Sequence, residues 1–134
     1  FCEHNTPELV WRPEWQSHGN GAQAMPEFVI ASTKHAEEAE GFAKLLHSEV
    51  AGTGDSLAVA FNGGQLTIMT PAAYGARYGA AASAMAGRDS IFGALVVRAD
   101  SLDKIRGITT PAIDEADRVV VREATFDSVL EFVS

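Results

Sequence analysis

The sequence predicts an α+β fold in which paired βαβββ modules form one curved mixed sheet, with helices outside and a cleft inside. Three observations predict it. Residues 27–70 and 91–133 run through the same order of elements, a strand, a helix and then a hairpin. Each half closes on a strand with a core triplet, LTI or LEF, that sets a polar residue between two apolar ones. Each half also carries an apolar face that it cannot cover alone, which favours layering helices over a shared sheet.

The elements follow in order. EFVIAS (27–32) is a short β-rich run. In TKHAEEAEGFAKLLHSE (33–49), Ala36, Ala39, Phe42, Ala43 and Leu46 recur mostly at spacings of three and four, which makes one apolar helix face. Ser32 or Thr33 can cap its first turn, where Glu37 and Glu38 favour the positive end of the dipole. After an extra strand near 48–51, Gly52 and Gly54 break the pattern. LAVAF (57–61), the NGG turn (62–64) and QLTIMT (65–70) form a hairpin, because Asn-Gly tolerates the positive φ of a tight turn. Pro71 suits the first turn of a short helix in PAAYGARYGAAASAMA (71–86), with Tyr74 and Tyr78 on one side and a loop beyond. IFGALVVRA (91–99) restarts the pattern as a strand. Asp100 or Ser101 can cap a helix in SLDKIRG (101–107), and Gly107 can end it. VVVREA (119–124) and SVLEFV (128–133) are two more strands across the turn ATFD.

Strand alternation then assigns the faces. Glu27, Val29 and Ala31 share one side of their strand, and Phe28 and Ile30 the other. Val129, Glu131 and Val133 share a side, opposite Leu130 and Phe132. The large residues pack under helices, so Glu27 and Glu131 are expected in the cleft. There they are the candidate catalytic pair: like charge and desolvation would raise one pKa and create a general acid–base couple. Glu131 needs a partner to offset burial, and Arg98 and Arg122 are the expected cations. Tyr74, Tyr78 and His18 are candidate ligand-binding residues, His18 because it precedes Gly19-Asn20-Gly21 in a loop. His35 and His47 read as surface residues.

Composition bounds the function. At 134 residues the chain is one ordinary domain able to bury a core. Eighteen acidic against ten basic side chains give a net charge of −8, and no Lys/Arg cluster offsets it, so nucleic acid is not an expected partner. No apolar run reaches bilayer-spanning length, so no membrane helix is expected. One cysteine forms no internal disulfide, and with no visible signal peptide the expected location is cytoplasmic. The glycines of GTGDS and NGG sit in strand connections, so no nucleotide cofactor is expected. The opening strip FCEHNTPELVWRPEWQSHGNGAQ (1–23) begins without methionine and holds both tryptophans, Cys2, His4 and His18. It reads as a linker and packing clamp ahead of a domain at 24–134, with Cys2 as a buried thiol. Its tryptophans beside a strand end favour a homodimer or a preceding module as partner.

The paired modules resemble the vicinal oxygen chelate superfamily, which includes glyoxalases, extradiol dioxygenases and antibiotic-resistance proteins. TPELVWRPEW with the following NGA, and GGQLTIMTPAAYGARYG, resemble bacterial glyoxalase-like domain proteins over most of the chain. The resemblance implies that FCEH ends a strand of a preceding module and that the chain is the C-terminal portion of a longer protein. It also implies a divalent metal in the concave sheet, held by residues of the first and last strands. The matching positions are Glu27 and Gly93, and Thr67 and Glu131. Here the chain departs from the family, because glycine has no side chain and threonine is a poor ligand. Two carboxylates with water could hold Mg2+ or Mn2+ loosely, and His18 could complete the set if its loop folded inward. Three functions stand open. One is a lyase or isomerase of small carbonyl compounds using Glu131 and Glu27. The second is a non-catalytic small-molecule binding or sequestration protein. The third is a structural half-domain whose function resides in a preceding part.

Overall fold

The computed structural model describes residues 5–10, 12–15 and 17–134. Cys2, His4 and Trp11, and with them the strand-end reading of FCEH, lie outside the described residues. A short helix α1 (Pro7–Val10) and a 3-10 turn (Pro13–Trp15) precede the sheet. The first module is β1 (Ala22–Ser32), α2 (His35–Leu46), β2 (Val50–Thr53), β3 (Ser56–Phe61) and β4 (Gly64–Met69). A connector helix α3 (Pro71–Tyr78) leads to the second module. That module is β5 (Ser90–Ala99), α4 (Leu102–Ile108), β6 (Ile113–Asp114), β7 (Arg118–Glu123) and β8 (Ser128–Val133).

The eight strands form one sheet in the order β2-β3-β4-β1-β5-β8-β7-β6. Each module places its first strand parallel to its last, β1 beside β4 and β5 beside β8. The modules meet where β1 and β5 run antiparallel, and all other pairs are antiparallel. The result is the expected curved mixed sheet of two like modules.

Boundaries moved for identifiable reasons. β1 begins at Ala22, not Glu27, because β5 supplies a partner from Ala99 onward. Pro26 lies inside it at an irregularity of that pairing, where a missing N–H is tolerated. α2 is shorter than 33–49. Lys34 stands at its start without a side-chain cap, while the Ser32 hydroxyl accepts the Lys34 N–H at 2.9 Å. α4 runs through Gly107 to Ile108, and the two-residue β6 carried no readable signal. The hairpin closes at Phe61 and Gly64, and Gly63 takes φ +92°, a value that L side chains adopt only with strain.

α2 covers the outer face of the first module, where Ile30, Ala39, Ala43, Val59 and Ile68 form one buried cluster. α4 covers the second module through Leu102 and Ile105 against Ala99, Val119 and Phe132. With seven residues against twelve in α2, α4 leaves Val97 and Leu130 only partly buried. Among the described residues no helix is long and apolar enough to cross a membrane.

Candidate functional site

The concave face is where the expected open cleft gives way to a closed one. α3 does not lie outside the sheet with α2 and α4. It packs into the concavity, where Tyr74 and Tyr78 join Val29, Ala31, Val96 and Val129 in one buried cluster. The chain favours this locally. Thr70 caps α3 by accepting the Ala73 N–H at 3.2 Å, and Pro71 occupies the first turn, where its lost N–H costs nothing. On the sheet side, Ala31, Gly93 and Ala94 are small enough to admit two tyrosine rings.

Tyr74 and Tyr78, expected to line a ligand pocket, are instead 2% and 0% exposed. The Tyr74 ring lies over Gly93, so that a Cβ there would come within 2.5 Å of it. Its hydroxyl donates to the Gly93 carbonyl at 2.8 Å and accepts the Ser83 N–H at 3.0 Å.

Glu27 and Glu131 both lie on this face, and one guanidinium joins them. Arg77 Nη1 and Nη2 donate to the two Glu27 carboxylate oxygens at 2.9 and 3.0 Å, a bidentate fork. The same Nη2 donates to Glu131 Oε2 at 2.7 Å. Tyr78 donates its phenol to that Glu131 oxygen at 2.7 Å, and Thr67 donates to Glu27 Oε1 at 2.5 Å while accepting from Gln65. Arg118 approaches Glu131 Oε1 at 3.6 Å but gives its closer bonds to Glu115. The side chains of Glu131, Glu27 and Arg77 are 5%, 16% and 24% exposed, so the cluster is largely dry. Among the described residues no buried side-chain nitrogen or oxygen lacks a hydrogen-bond partner.

The cationic partners expected from sequence are corrected. Arg98 is exposed on β5. Arg122 pairs with Asp127 and donates to Ser83 and the Ala81 carbonyl, bracing the segment after α3. Arg77 was the missed residue. One signal for it existed, since it is the sole charge in 71–86, set between the two tyrosines on an alanine-rich helix.

The electrostatics differ from those of a poised acid–base couple. Burial pushes the Glu27 carboxyl up, but hydrogen bonds from Arg77 and Thr67 and the charge of Arg77 outweigh it and hold the group below its ordinary range. Burial works against the Arg77 charge too, and contacts with Glu27 and Glu131 more than restore it. Burial raises the Tyr78 phenol, which stays protonated and donating. A carboxylate held ionised in this way is a weak base. It also links stability to pH. With a folded pKa below the unfolded one, Glu27 stabilises the fold fully above about 4.5, and this contribution is lost as pH falls through the folded value. Urea unfolding across the acid range is expected to show a shallower loss of stability in Glu27→Gln than in the parent chain. Equal slopes would mean that Glu27 makes no such contribution.

The residues do not fit a divalent metal. Gly93 offers no side-chain ligand and faces a tyrosine ring, Thr67 donates its hydroxyl to Glu27, and a guanidinium bonds both carboxylates. Among the described residues no three His, Cys, Asp or Glu side chains gather as a metal cluster. His18 lies on the other side of the sheet. It lines a groove of about 540 Å³ with Trp15, Met25, Val97, Leu130 and Phe132, and the last three face away from Glu131. The sheet itself separates His18 from Glu27 and Glu131, so it cannot complete their set.

No protein-family model matches the sequence, and no curated protein does. Solved structures do match in fold. A methylmalonyl-CoA epimerase from Mycobacterium tuberculosis superimposes with a TM-score of 0.58 at 14% identity, over 87% of this chain and 91% of that one. Another methylmalonyl-CoA epimerase gives 0.51 at 11% identity, over 84% and 94%. A hypothetical protein from Staphylococcus aureus gives 0.50 at 5% identity over 81% of this chain, which spans about a third (32%) of that protein's length. At these identities the likeness establishes the fold alone, a curved mixed sheet of two like modules, and leaves activity to the residues of the site.

Proposed function

We propose that this chain is a non-catalytic small-molecule binding module on the vicinal oxygen chelate fold, with its ligand surface in the outer groove. The observation that carries this reading is the Glu27–Arg77–Glu131 bridge. It ties both carboxylates to one guanidinium in the concave centre where the lyase or isomerase reading needs an open, reactive couple. The groove has the size of a small-ligand site and mostly apolar walls, with Trp15 60% exposed. Arg12 stacks on Trp15 but is paired with Glu14, so the groove favours a flat, uncharged molecule over an anion.

N-phenyl-1-naphthylamine, a neutral planar dye, tests this. Saturable fluorescence enhancement is expected, with affinity about tenfold weaker in Trp15→Ala, the equivalent of roughly 1.4 kcal/mol. No turnover of methylmalonyl-CoA or of a 2-oxoaldehyde is expected, with or without Mn2+. Turnover that disappears in a folded Glu131→Gln variant would overturn the reading, and dye binding indifferent to Trp15 would remove the groove from it. The homodimer belongs to the same proposal, with residues 1–23 as its clamp. Leu9, exposed in that strip, motivates it. Light scattering should show a dimer at micromolar concentration, and a monomer up to near-millimolar would exclude it.

A further inference from the structure

We infer that Arg77 is a built-in counter-cation. Its guanidinium occupies a preformed two-carboxylate site that takes up a hard divalent ion once the guanidinium is removed, and that the intact chain thereby keeps closed to metal. The geometry supports both halves. Glu27 Oε2 and Glu131 Oε2 converge on a single atom, Arg77 Nη2, at 3.0 and 2.7 Å, the way oxygens converge on an ion. They are not held there by Arg77 alone. Thr67 donates to Glu27 Oε1 and Tyr78 donates to Glu131 Oε2, and Gln65 donates to Thr67 in turn. Each carboxylate thus keeps a hydrogen-bond donor of its own when Arg77 is lost, and such donors orient carboxylates around bound metals.

Chemistry supplies the remainder. Two largely buried carboxylates without a cation must take up a proton or an ion to escape their mutual repulsion. Space opened by truncating an arginine admits a hydrated ion, and Mg2+ or Mn2+ commonly keep several waters and use one or two carboxylates. Arg118, 3.6 Å from Glu131, opposes an incoming cation, so the affinity expected is in the millimolar range rather than tighter. The native chain has no such vacancy, because its own connector helix supplies the charge. This holds whatever the outer groove binds.

The experiment is thermal unfolding with millimolar Mn2+ or with chelator, with Mn2+ binding followed by its electron paramagnetic resonance signal. The parent chain should bind no Mn2+ and show the same midpoint in both. Arg77→Ala should unfold at lower temperature in chelator, bind one Mn2+ and recover part of the lost midpoint with it. Arg77→Ala/Glu131→Gln should bind none. If Arg77→Ala is too unstable to isolate, Arg77→Gln, which keeps a polar amide without charge, replaces it in the same comparison. Equal Mn2+ response in the parent chain, or folded variants without any response, overturns the inference. Failure of both variants to fold even in Mn2+ overturns it too, since an ion able to replace the guanidinium would restore the fold.

Discussion

Arg77→Met is expected to lower the unfolding free energy by about 3–5 kcal/mol, the cost of stripping the partner from a buried charge pair. The size follows from what is left behind. Glu27 keeps Thr67 and Glu131 keeps Tyr78, yet two carboxylates would face each other with only the shared Arg118 nearby. Methionine roughly preserves the bulk of the side chain, so the loss reads charge rather than cavity. Urea unfolding in chelator measures it. The companion Arg77→Met/Glu131→Gln removes one charge of each sign, and it should recover a substantial part of the loss. A loss below about 1 kcal/mol would mean that the bridge behaves as an exposed surface pair, whose contribution is small.

Tyr74→Ala is expected to cost a similar amount, about 3–5 kcal/mol, typical of deleting a buried aromatic ring. The ring is buried against Gly93, and its hydroxyl serves both the Gly93 carbonyl and the Ser83 N–H. Tyr74 and Gly93 should therefore be coupled in a way that the sign of the effect reveals. Gly93→Ala alone places a methyl 2.5 Å from the ring and should destabilise by about 1–3 kcal/mol through overpacking. In the Tyr74→Ala background the same methyl enters vacated space and should be neutral or stabilising. Additive effects in this double-mutant cycle would show that the ring does not press on Gly93 in solution.

These two residues also mark the division between what was legible and what was not. The sequence alone determined the order of the longer strands and helices, the hairpin at Asn62-Gly63 and the faces of residues 27–31 and 129–133. Those follow from periodicity and turn chemistry, which act within a few residues. Glu27 and Glu131 share a face for that local reason. Only the tertiary structure decided what stands opposite them. Arg77 meets Glu27 across 50 positions and Glu131 across 54, and Tyr74 meets Gly93 across 19. An alanine-rich connector reads equally well as an outer helix or a plug, because its small residues fit either place. The choice fell to packing and charge. The concave sheet offers small side chains and two carboxylates, and the connector carries two rings and one guanidinium that together satisfy them.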